Sequence, residues 1–152
     1  MDNKEYQLSD SLGYLLGNAY RLMSCRLGAR FRERQYDVTI EQWPLLAQLW
    51  NQDGLTQAQL SALTRKDQPS VSRLVDNMIK KNLVVRVSHP EDRRKNRIHL
   101  TPKGAELQQK LIVEALANNA DAIAGVSPEE YAVFRSVLER ITANMKQMKE
   151  EL

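Results

Sequence analysis

The chain has 152 residues, of which 42% are hydrophobic and 27% charged, and its net charge is +3, which is ordinary for a soluble globular protein. A single cysteine, Cys25, excludes an internal disulfide and favours a reducing compartment. The N-terminal segment lacks the apolar core of a secretory signal, and no apolar run approaches the ~18 residues of a membrane span, so we expect a cytoplasmic protein.

Two helices are predicted at the start of the chain. Apolar side chains recur at three- and four-residue spacing from Ser9 to about Arg34, which predicts one long helix. Thr39 and Gln42 have the spacing of a capping box and predict that a second helix begins directly after Thr39. Pro44 removes a backbone hydrogen bond, so we expect it close to the start of that helix, with a slight distortion.

The next segment predicts a helix-turn-helix. Thr56 and Gln59 form a second capping box at the start of a short helix. After a turn, Asp67 or Gln68 caps a further helix, with Pro69 in its first turn. The apolar stripe of this helix, which must face the core, consists of Val71, Leu74, Val75, Met78 and Ile79. Two short helices joined by a tight turn, the second strongly amphipathic, are typical of this motif.

A β-hairpin is predicted after the helix-turn-helix. Asn82 tolerates the left-handed conformation and ends the preceding helix. Residues 83–87 are rich in β-branched side chains and residues 97–100 alternate in polarity, which predicts two strands around a polar, basic loop at residues 88–96. Because a two-stranded hairpin is unstable alone, we expect it to pack on the helices as a wing.

The remaining segment predicts two more helices, one from Pro102 to about Ala124 and one that begins after Ser127. The expected fold is mainly α with a small β-hairpin. A winged helix-turn-helix at residues 39–101 is flanked by a helical dimerisation region, residues 1–38 and 102–152, within a single intertwined domain.

Basic residues concentrate in the predicted winged region. Residues 56–104 contain eleven Lys and Arg but four Asp and Glu, a net charge of +7, whereas the rest of the chain carries −4. A basic middle between acidic flanks is typical of a polyanion-binding module, although a solvated basic face has the same composition.

The candidate DNA-binding residues lie on the polar face of the second helix of the motif and in the hairpin loop. Recognition helices contact base edges with N-terminal residues, and arginine suits guanine or phosphate. Four basic side chains within five positions at the hairpin tip repel one another and are attracted to phosphates or a narrow minor groove. The candidates are Gln68, Ser70, Ser72, Arg73, Asn77, Lys80, Arg93, Arg94, Lys95 and Arg97.

The segment from residue 92 to 101 resembles the wing signature of the MarR family: Asp, any residue, Arg, five residues, then Leu-Thr. Residues 39–43, 55–60, 70–76 and 101–104 also resemble that family, so the likeness covers essentially the whole chain. The resemblance implies a homodimer with a winged helix-turn-helix in each subunit, with Arg94 in the minor groove and Asp92 holding the wing. Pro44 inside the second helix and Asn82 in place of the usual glycine depart from the family pattern.

The expected function is sequence-specific binding of double-stranded DNA by a transcription regulator, most simply a repressor. Pairing of the first and last helices across a two-fold axis would separate the recognition helices by about 34 Å, which suits a pseudo-palindromic operator. The resemblance also implies a small phenolic or anionic effector in the crevice beside the dimerisation helices. Candidate lining residues, for which core packing is the alternative, are Leu16, Tyr20, Trp43 and Ala47.

Other functions have weaker support in the sequence. A winged-helix module for protein–protein contact is one alternative, and a redox-responsive regulator through Cys25 is another. MarR-like peroxide sensors carry a reactive cysteine near the start of the first helix, but an ungapped match puts Leu15 there. We therefore interpret Cys25 as an inert packing or interface cysteine, with a redox role as the alternative. No catalytic motif is present, and His89 and His99 lack the clustered ligands of a zinc site, so we expect no enzyme activity, metal or cofactor.

Overall fold

The computed structural model describes residues 7–92 and 95–150, with side chains described up to residue 148. The elements are a 3-10 turn (Leu8–Asp10), α1 (Leu12–Glu33), α2 (Trp43–Asn51), β1 (Leu55–Thr56), α3 (Gln57–Thr64), α4 (Gln68–Lys80), β2 (Val84–Ser88), β3 (Asn96–Leu100), α5 (Pro102–Ala122) and α6 (Pro128–Glu150). The predicted fold class, mainly helical with a small β-sheet, is confirmed. The chain divides into two compact units, Met1–Asn118 and Asn119–Leu152.

The first helix begins later than predicted. Residues Leu8–Asp10 form a separate 3-10 turn, and the side chain of Ser11 accepts a hydrogen bond from the backbone N–H of Tyr14, 3.1 Å away. Placing the helix start at Ser9 was therefore wrong, because Ser11 is the residue that satisfies a free N–H of the first turn.

The second helix also begins later than predicted. The two reciprocal hydrogen bonds between Thr39 and Gln42 are present, at 3.1 and 3.2 Å, but they close a turn, and α2 starts at Trp43. The prediction that Thr39 caps the helix directly was wrong. Pro44 lies in the first turn of α2, as expected, because its missing N–H would have no partner within the helix there.

The helix-turn-helix forms as predicted. Thr56 caps α3 in a capping box with Gln59, and the carboxylate of Asp67 caps α4 by accepting from the backbone N–H of Ser70 at 2.8 Å. The apolar stripe of α4 enters the core, and Asn82 adopts a left-handed φ of 56° after the helix. Local capping signals thus determine this part of the backbone.

The wing is a three-stranded antiparallel sheet in the order β1-β3-β2, not the two-stranded hairpin predicted. Leu55 pairs with Ile98, and Arg86 pairs with Ile98 from the other side. A two-residue strand is too short to display a period-two pattern, so β1 had no sequence signal. The strands at Val84–Ser88 and Asn96–Leu100 each lie within one residue of the predicted bounds.

The core of the first unit joins α1 to the winged region. Among the described residues sixteen hydrophobic side chains are buried, most of them from α1 to α5 and the sheet, with Phe31, Leu46 and Met78 fully buried. The indole N–H of Trp50 donates to the carbonyl of Gly104 at 3.0 Å. A Cβ at Gly104 would lie 2.1 Å from the carbonyl oxygen of Leu83, so only glycine permits this approach of α5 to the base of the wing.

The second unit contains the helix α6. Its N-terminus is a capping box in which Ser127 and Glu130 exchange hydrogen bonds of 2.8 and 3.1 Å, as the sequence predicts. The bonds from Ser127 lower the pKa of the Glu130 carboxyl below its ordinary value. Large apolar side chains along α6, including Phe134 and Met145, are exposed.

Candidate nucleic-acid interface

The polar face of α4 is exposed along its length. Because the apolar stripe that includes Val71 and Met78 is buried, the opposite face must point away from the core. Of the predicted DNA-binding residues on this helix, Gln68, Arg73, Asn77 and Lys80 are exposed, and Ser70 and Ser72 are half-buried. The exposed residues include Arg73 and Lys80, whose long side chains can place a positive charge beside a phosphate or a base edge.

Ser70 has a structural role at the start of α4. Its hydroxyl donates to the second carboxylate oxygen of Asp67 at 2.8 Å, alongside the capping bond from its own backbone N–H. These two hydrogen bonds lower the pKa of Asp67 below its ordinary value of 3.8. The hydroxyl proton of Ser70 is thus engaged within the protein, and the hydroxyl oxygen remains as an acceptor.

Hydrogen bonds close the wing loop. The backbone N–H of Lys95 donates to the carbonyl of Asp92 at 2.9 Å, and the N–H of His89 donates to the carbonyl of Lys95 at 2.7 Å. A guanidinium nitrogen of Arg97 lies 3.0 Å from Nε2 of His89, so half-buried Arg97 is engaged within the wing while Lys95 is exposed. The predicted contacts at Arg93 and Arg94 lie outside the described residues.

A groove of about 490 Å³ joins the tip of α4 to the wing. Gln68 lines it from α4, and His89, Lys95 and Asn96 line it from the wing. The third side is the start of α3, residues 56–59. Gln57 and Gln59 were not among the predicted DNA-binding residues, although the capping box at Thr56 marked a helix start. Three elements that are separate in sequence thus surround one polar concavity.

Two sets of side-chain contacts that were not predicted join the wing to α3, to α4 and to the turn after α2. Arg86 of β2 lies 2.8 Å from the carboxylate of Asp76 on α4 and donates to Gln57 of α3 at 3.0 Å. The carboxylate of Asp53 accepts from the backbone N–H of Leu100 at 2.8 Å and lies 2.9 Å from Nδ1 of His99. No local sequence pattern predicts these contacts, because the residues in contact lie 10 to 47 positions apart in the chain.

A second concavity, of about 630 Å³, lies between α1, the α1–α2 connection, the turn between α3 and α4 and the end of α4. We name it the α1 crevice; its lining residues are Tyr20, Arg21, Ser24, Cys25, Gly28, Arg32, Tyr36, Asp37, Val38, Thr39, Ile40, Glu41, Lys66 and Lys81. Four cations face two carboxylates there, and Nζ of Lys81 lies 2.8 Å from the Asp37 carboxylate. The crevice therefore combines tyrosine rings with an excess of positive charge.

The four predicted effector-pocket residues do not lie together in this crevice. Tyr20 lines it, but Leu16, Trp43 and Ala47 are not among its lining residues. Trp43 packs between Phe31 and Trp50, with ring centroids 5.8 and 5.7 Å away. Trp43 is thus part of an aromatic cluster beside the core.

The single cysteine is exposed. Cys25 lines the α1 crevice together with Arg21, whose guanidinium donates to Asn18 at 3.1 Å. Within residues 7–92 and 95–150, no cluster of three or more His, Cys, Asp or Glu side chains could hold a metal ion. None of the helices in the described part of the chain combines the length and apolarity that crossing a bilayer requires.

Comparisons with known proteins agree with this architecture. Residues 36–95 match the model of the MarR family. An uncharacterised HTH-type transcriptional regulator of Bacillus subtilis, YsmB, is 33% identical over 112 residues, which cover 74% of this chain and 77% of YsmB. The HTH-type transcriptional repressor NicR of Pseudomonas putida is 32% identical over 114 residues, covering 74% of this chain and 70% of NicR.

A solved structure has the same fold. Bordetella bronchiseptica BpsR, whose DNA binding is regulated by 6-hydroxynicotinic acid, superposes with a TM-score of 0.81 at 23% identity, over 90% of this chain and 96% of BpsR. The exposed recognition-type helix, the wing beside it and the extent of the match to YsmB lead to one assignment. The chain belongs to the MarR family of DNA-binding transcriptional regulators.

Proposed function

We propose that this regulator is a repressor that binds a pseudo-palindromic operator as a homodimer, with α4 in the major groove and the wing on the adjacent minor groove. The observation that carries the proposal is the groove shared by Gln68 at the tip of α4 and Lys95 of the wing. Such a groove allows one subunit to contact base edges and the flanking phosphates together. The name of NicR, a repressor, supports the direction of regulation.

Exposed apolar surface supports the dimer. Leu12 and Leu15 near the start of α1 and Phe134 of α6 each leave half or more of their surface exposed. Large exposed apolar patches of this kind mark protein–protein contacts. Pairing of these helices with those of a second copy would bury them and bring two α4 helices to one face, as a two-fold-symmetric operator requires.

Salt dependence tests DNA binding against the alternative of a protein–protein module. We expect the affinity for a duplex selected from random DNA to fall steeply between about 50 and 200 mM salt. Each neutralised phosphate steepens the plot of log affinity against log salt concentration by about 0.9. Arg73→Ala should weaken binding by about 1–3 kcal/mol and relax the preference at one base pair. The matched control Arg26→Ala removes an equal charge from an exposed pair with Glu33 on α1 and should leave affinity unchanged. Affinity independent of salt would favour the protein–protein module.

Arg94 is the second test of this mode of binding. By the family resemblance it enters the minor groove, so Arg94→Ala should weaken operator binding at least tenfold, a cost of about 1.4 kcal/mol or more, while the dimer remains intact. Affinity would be measured by fluorescence anisotropy and dimerisation by analytical ultracentrifugation. Equal affinities of the two proteins would remove the minor-groove contact from the proposal.

We also propose that a small aromatic carboxylate relieves repression by binding in the α1 crevice. Tyr20 and Tyr36 offer ring contacts, and Arg32 and Lys66 offer cations to a carboxylate. The regulation of BpsR by 6-hydroxynicotinic acid supports this ligand class. A ligand of this kind would act by preferring one spacing of the two DNA-binding lobes.

The effector is tested with a charged and a neutral ligand. We expect 6-hydroxynicotinic acid to lower the affinity for the operator, and its neutral amide to have no effect. Arg32→Gln should weaken the response to the acid without changing the affinity of the ligand-free protein for DNA. An unchanged response in Arg32→Gln, together with a lost response in Trp43→Phe, would move the site to the residues expected from the sequence, among them Leu16 and Ala47.

Two further points of the proposal are simple to check. Cys25 is treated as an inert thiol, so peroxide should leave operator affinity unaltered; a loss that a reductant reverses would establish a redox response instead.

As a regulator of transcription, the protein is assigned to the cytoplasm, where cell fractionation should recover it together with the DNA.

A further inference from the structure

We propose that Asp76 and Arg86 form a specificity-determining tether between the recognition helix and the wing. The tether rests on the DNA-binding function and concerns how that function discriminates an operator from other DNA. Neither residue would contact a base. Their ion pair would instead keep α4 and the wing at one separation, and it would prevent Arg86 from attracting phosphates of any sequence.

The geometry joins three elements through one guanidinium. Nη2 of Arg86 lies 2.8 Å from Oδ1 of Asp76 on α4, and Nε donates at 3.0 Å to Oε1 of Gln57 at the start of α3. The side chain of Arg86 is 27% exposed and that of Asp76 is 53% exposed, so the guanidinium is partly shielded from water while the carboxylate faces the solvent. Two fixed donors in a planar fork define both distance and orientation, which a lysine at this position could not do.

The tether reaches the DNA-facing part of the wing through the sheet. Arg86 pairs with Ile98, and the next residue of β2, Val87, pairs with Arg97 of β3. The strand β3 begins at Asn96, which lines the groove beside Lys95. A displacement of β2 relative to α4 would therefore move the wing side of the groove relative to its recognition-helix side.

Electrostatics give the tether a second effect. Asp76 lies on the exposed face of α4 between Arg73 and Lys80, where an unpaired carboxylate would repel phosphates. Arg86 is one of the eleven basic residues of the winged region, but its charge is neutralised by Asp76. The pair thus removes one repulsive and one non-specifically attractive charge from the interface at the same time.

The experiment compares binding to a selected operator with binding to a scrambled duplex. Asp76→Ala leaves the charge of Arg86 without its partner. Alanine suits the exposed helical position of residue 76, so the variant should fold. We expect tighter binding to the scrambled duplex, a salt slope that is steeper by up to about one, and a specificity ratio that falls about five- to tenfold. The double variant Asp76→Arg with Arg86→Asp restores the pair in reverse and should recover most of the ratio.

The control Glu33→Gln opens an Arg–Glu pair on α1, away from the groove, and should change neither slope nor ratio. A fall of both affinities by the same factor in Asp76→Ala would overturn the tether, and so would a double variant no better than Asp76→Ala. A salt slope that falls by about one in Arg86→Gln would also overturn it, because Arg86 would then bind phosphate directly. If the unaltered protein bound neither duplex in a salt-dependent manner, the proposed function itself would fail, which is a separate outcome.

Discussion

Helix α4 and the first half of α1 have the same type of apolar pattern but meet different surroundings. On α4, Val71, Val75 and Met78 are fully buried by the rest of the first unit. On α1, Leu12 and Leu15 are 53% and 55% exposed, whereas Phe31, near the other end of the same helix, is fully buried. The repeat of 3.6 residues therefore indicates a helix with an apolar face, but it does not indicate which surface covers that face.

The comparison separates two kinds of stabilisation. Burial within the chain contributes to folding at any protein concentration. Exposed apolar faces on α1 and α6 contribute only if a second molecule covers them, so their contribution depends on concentration.

Truncation in the core of α4 should have the largest effect. Met78→Ala removes a fully buried side chain, and we expect the free energy of unfolding to fall by about 2–5 kcal/mol at every protein concentration. The matched variant Met145→Ala, at an exposed position of α6, should cost less, and its cost should depend on concentration. Urea denaturation at two concentrations measures both. Equal, concentration-independent losses would contradict the distinction.

A charge on an exposed apolar face should break the proposed dimer. Leu15→Glu and Phe134→Glu each place a carboxylate where we expect a desolvated interface, so the variants should sediment as monomers and bind the operator at least tenfold more weakly. Their thermal unfolding should remain cooperative, because neither side chain is part of the buried core. Gln147→Glu adds the same charge at an exposed polar position of α6 and should remain dimeric. Persistence of the dimer in both apolar variants would place the interface elsewhere.

Acid should weaken the cap of α4 by a small amount. The pKa of Asp67 is lowered in the folded state by its hydrogen bonds from Ser70, so the stabilisation is complete above the ordinary value of 3.8 and is lost as pH falls through the lowered pKa. Asn at this position still caps a helix but does not titrate. Asp67→Asn should therefore be less stable than the unaltered protein at neutral pH, and the difference should shrink below pH 3.8. A difference that is constant across this range would mean that the Asp67 charge does not stabilise the cap.

Sequence reasoning succeeded where the signal is local. The capping box at Thr56 and the left-handed residue Asn82 were predicted, and the cap of α4 was predicted at Asp67 or Gln68. Each of these features depends on interactions within a few residues. It failed at the two helix starts where several residues compete for the same role. Ser11 rather than Ser9 caps α1, and α2 starts at Trp43, after the turn that Thr39 and Gln42 close.

The candidate interface was predicted in part. Exposed Arg73 and Lys95 were selected because charge and helix phase can be counted along the chain. The partners of Arg97 and Arg86 were not predicted, because His89 and Asp76 come into contact only when the hairpin and α4 are packed. The short strand β1 was missed for the same reason, since its hydrogen bonds belong to β3.

The sequence by itself determined the order of the helices, the amphipathic character of α4 and the concentration of positive charge in the winged region. The helices depend on periodicity and caps, which act over a few residues, and the positive charge of a segment is the sum of the charges of its residues. Tertiary structure decided which charges remain available to a polyanion and which, such as that of Arg86, are neutralised within the protein. That difference arises because an ion pair depends on distance in space, and the fold brings together residues that the sequence keeps apart.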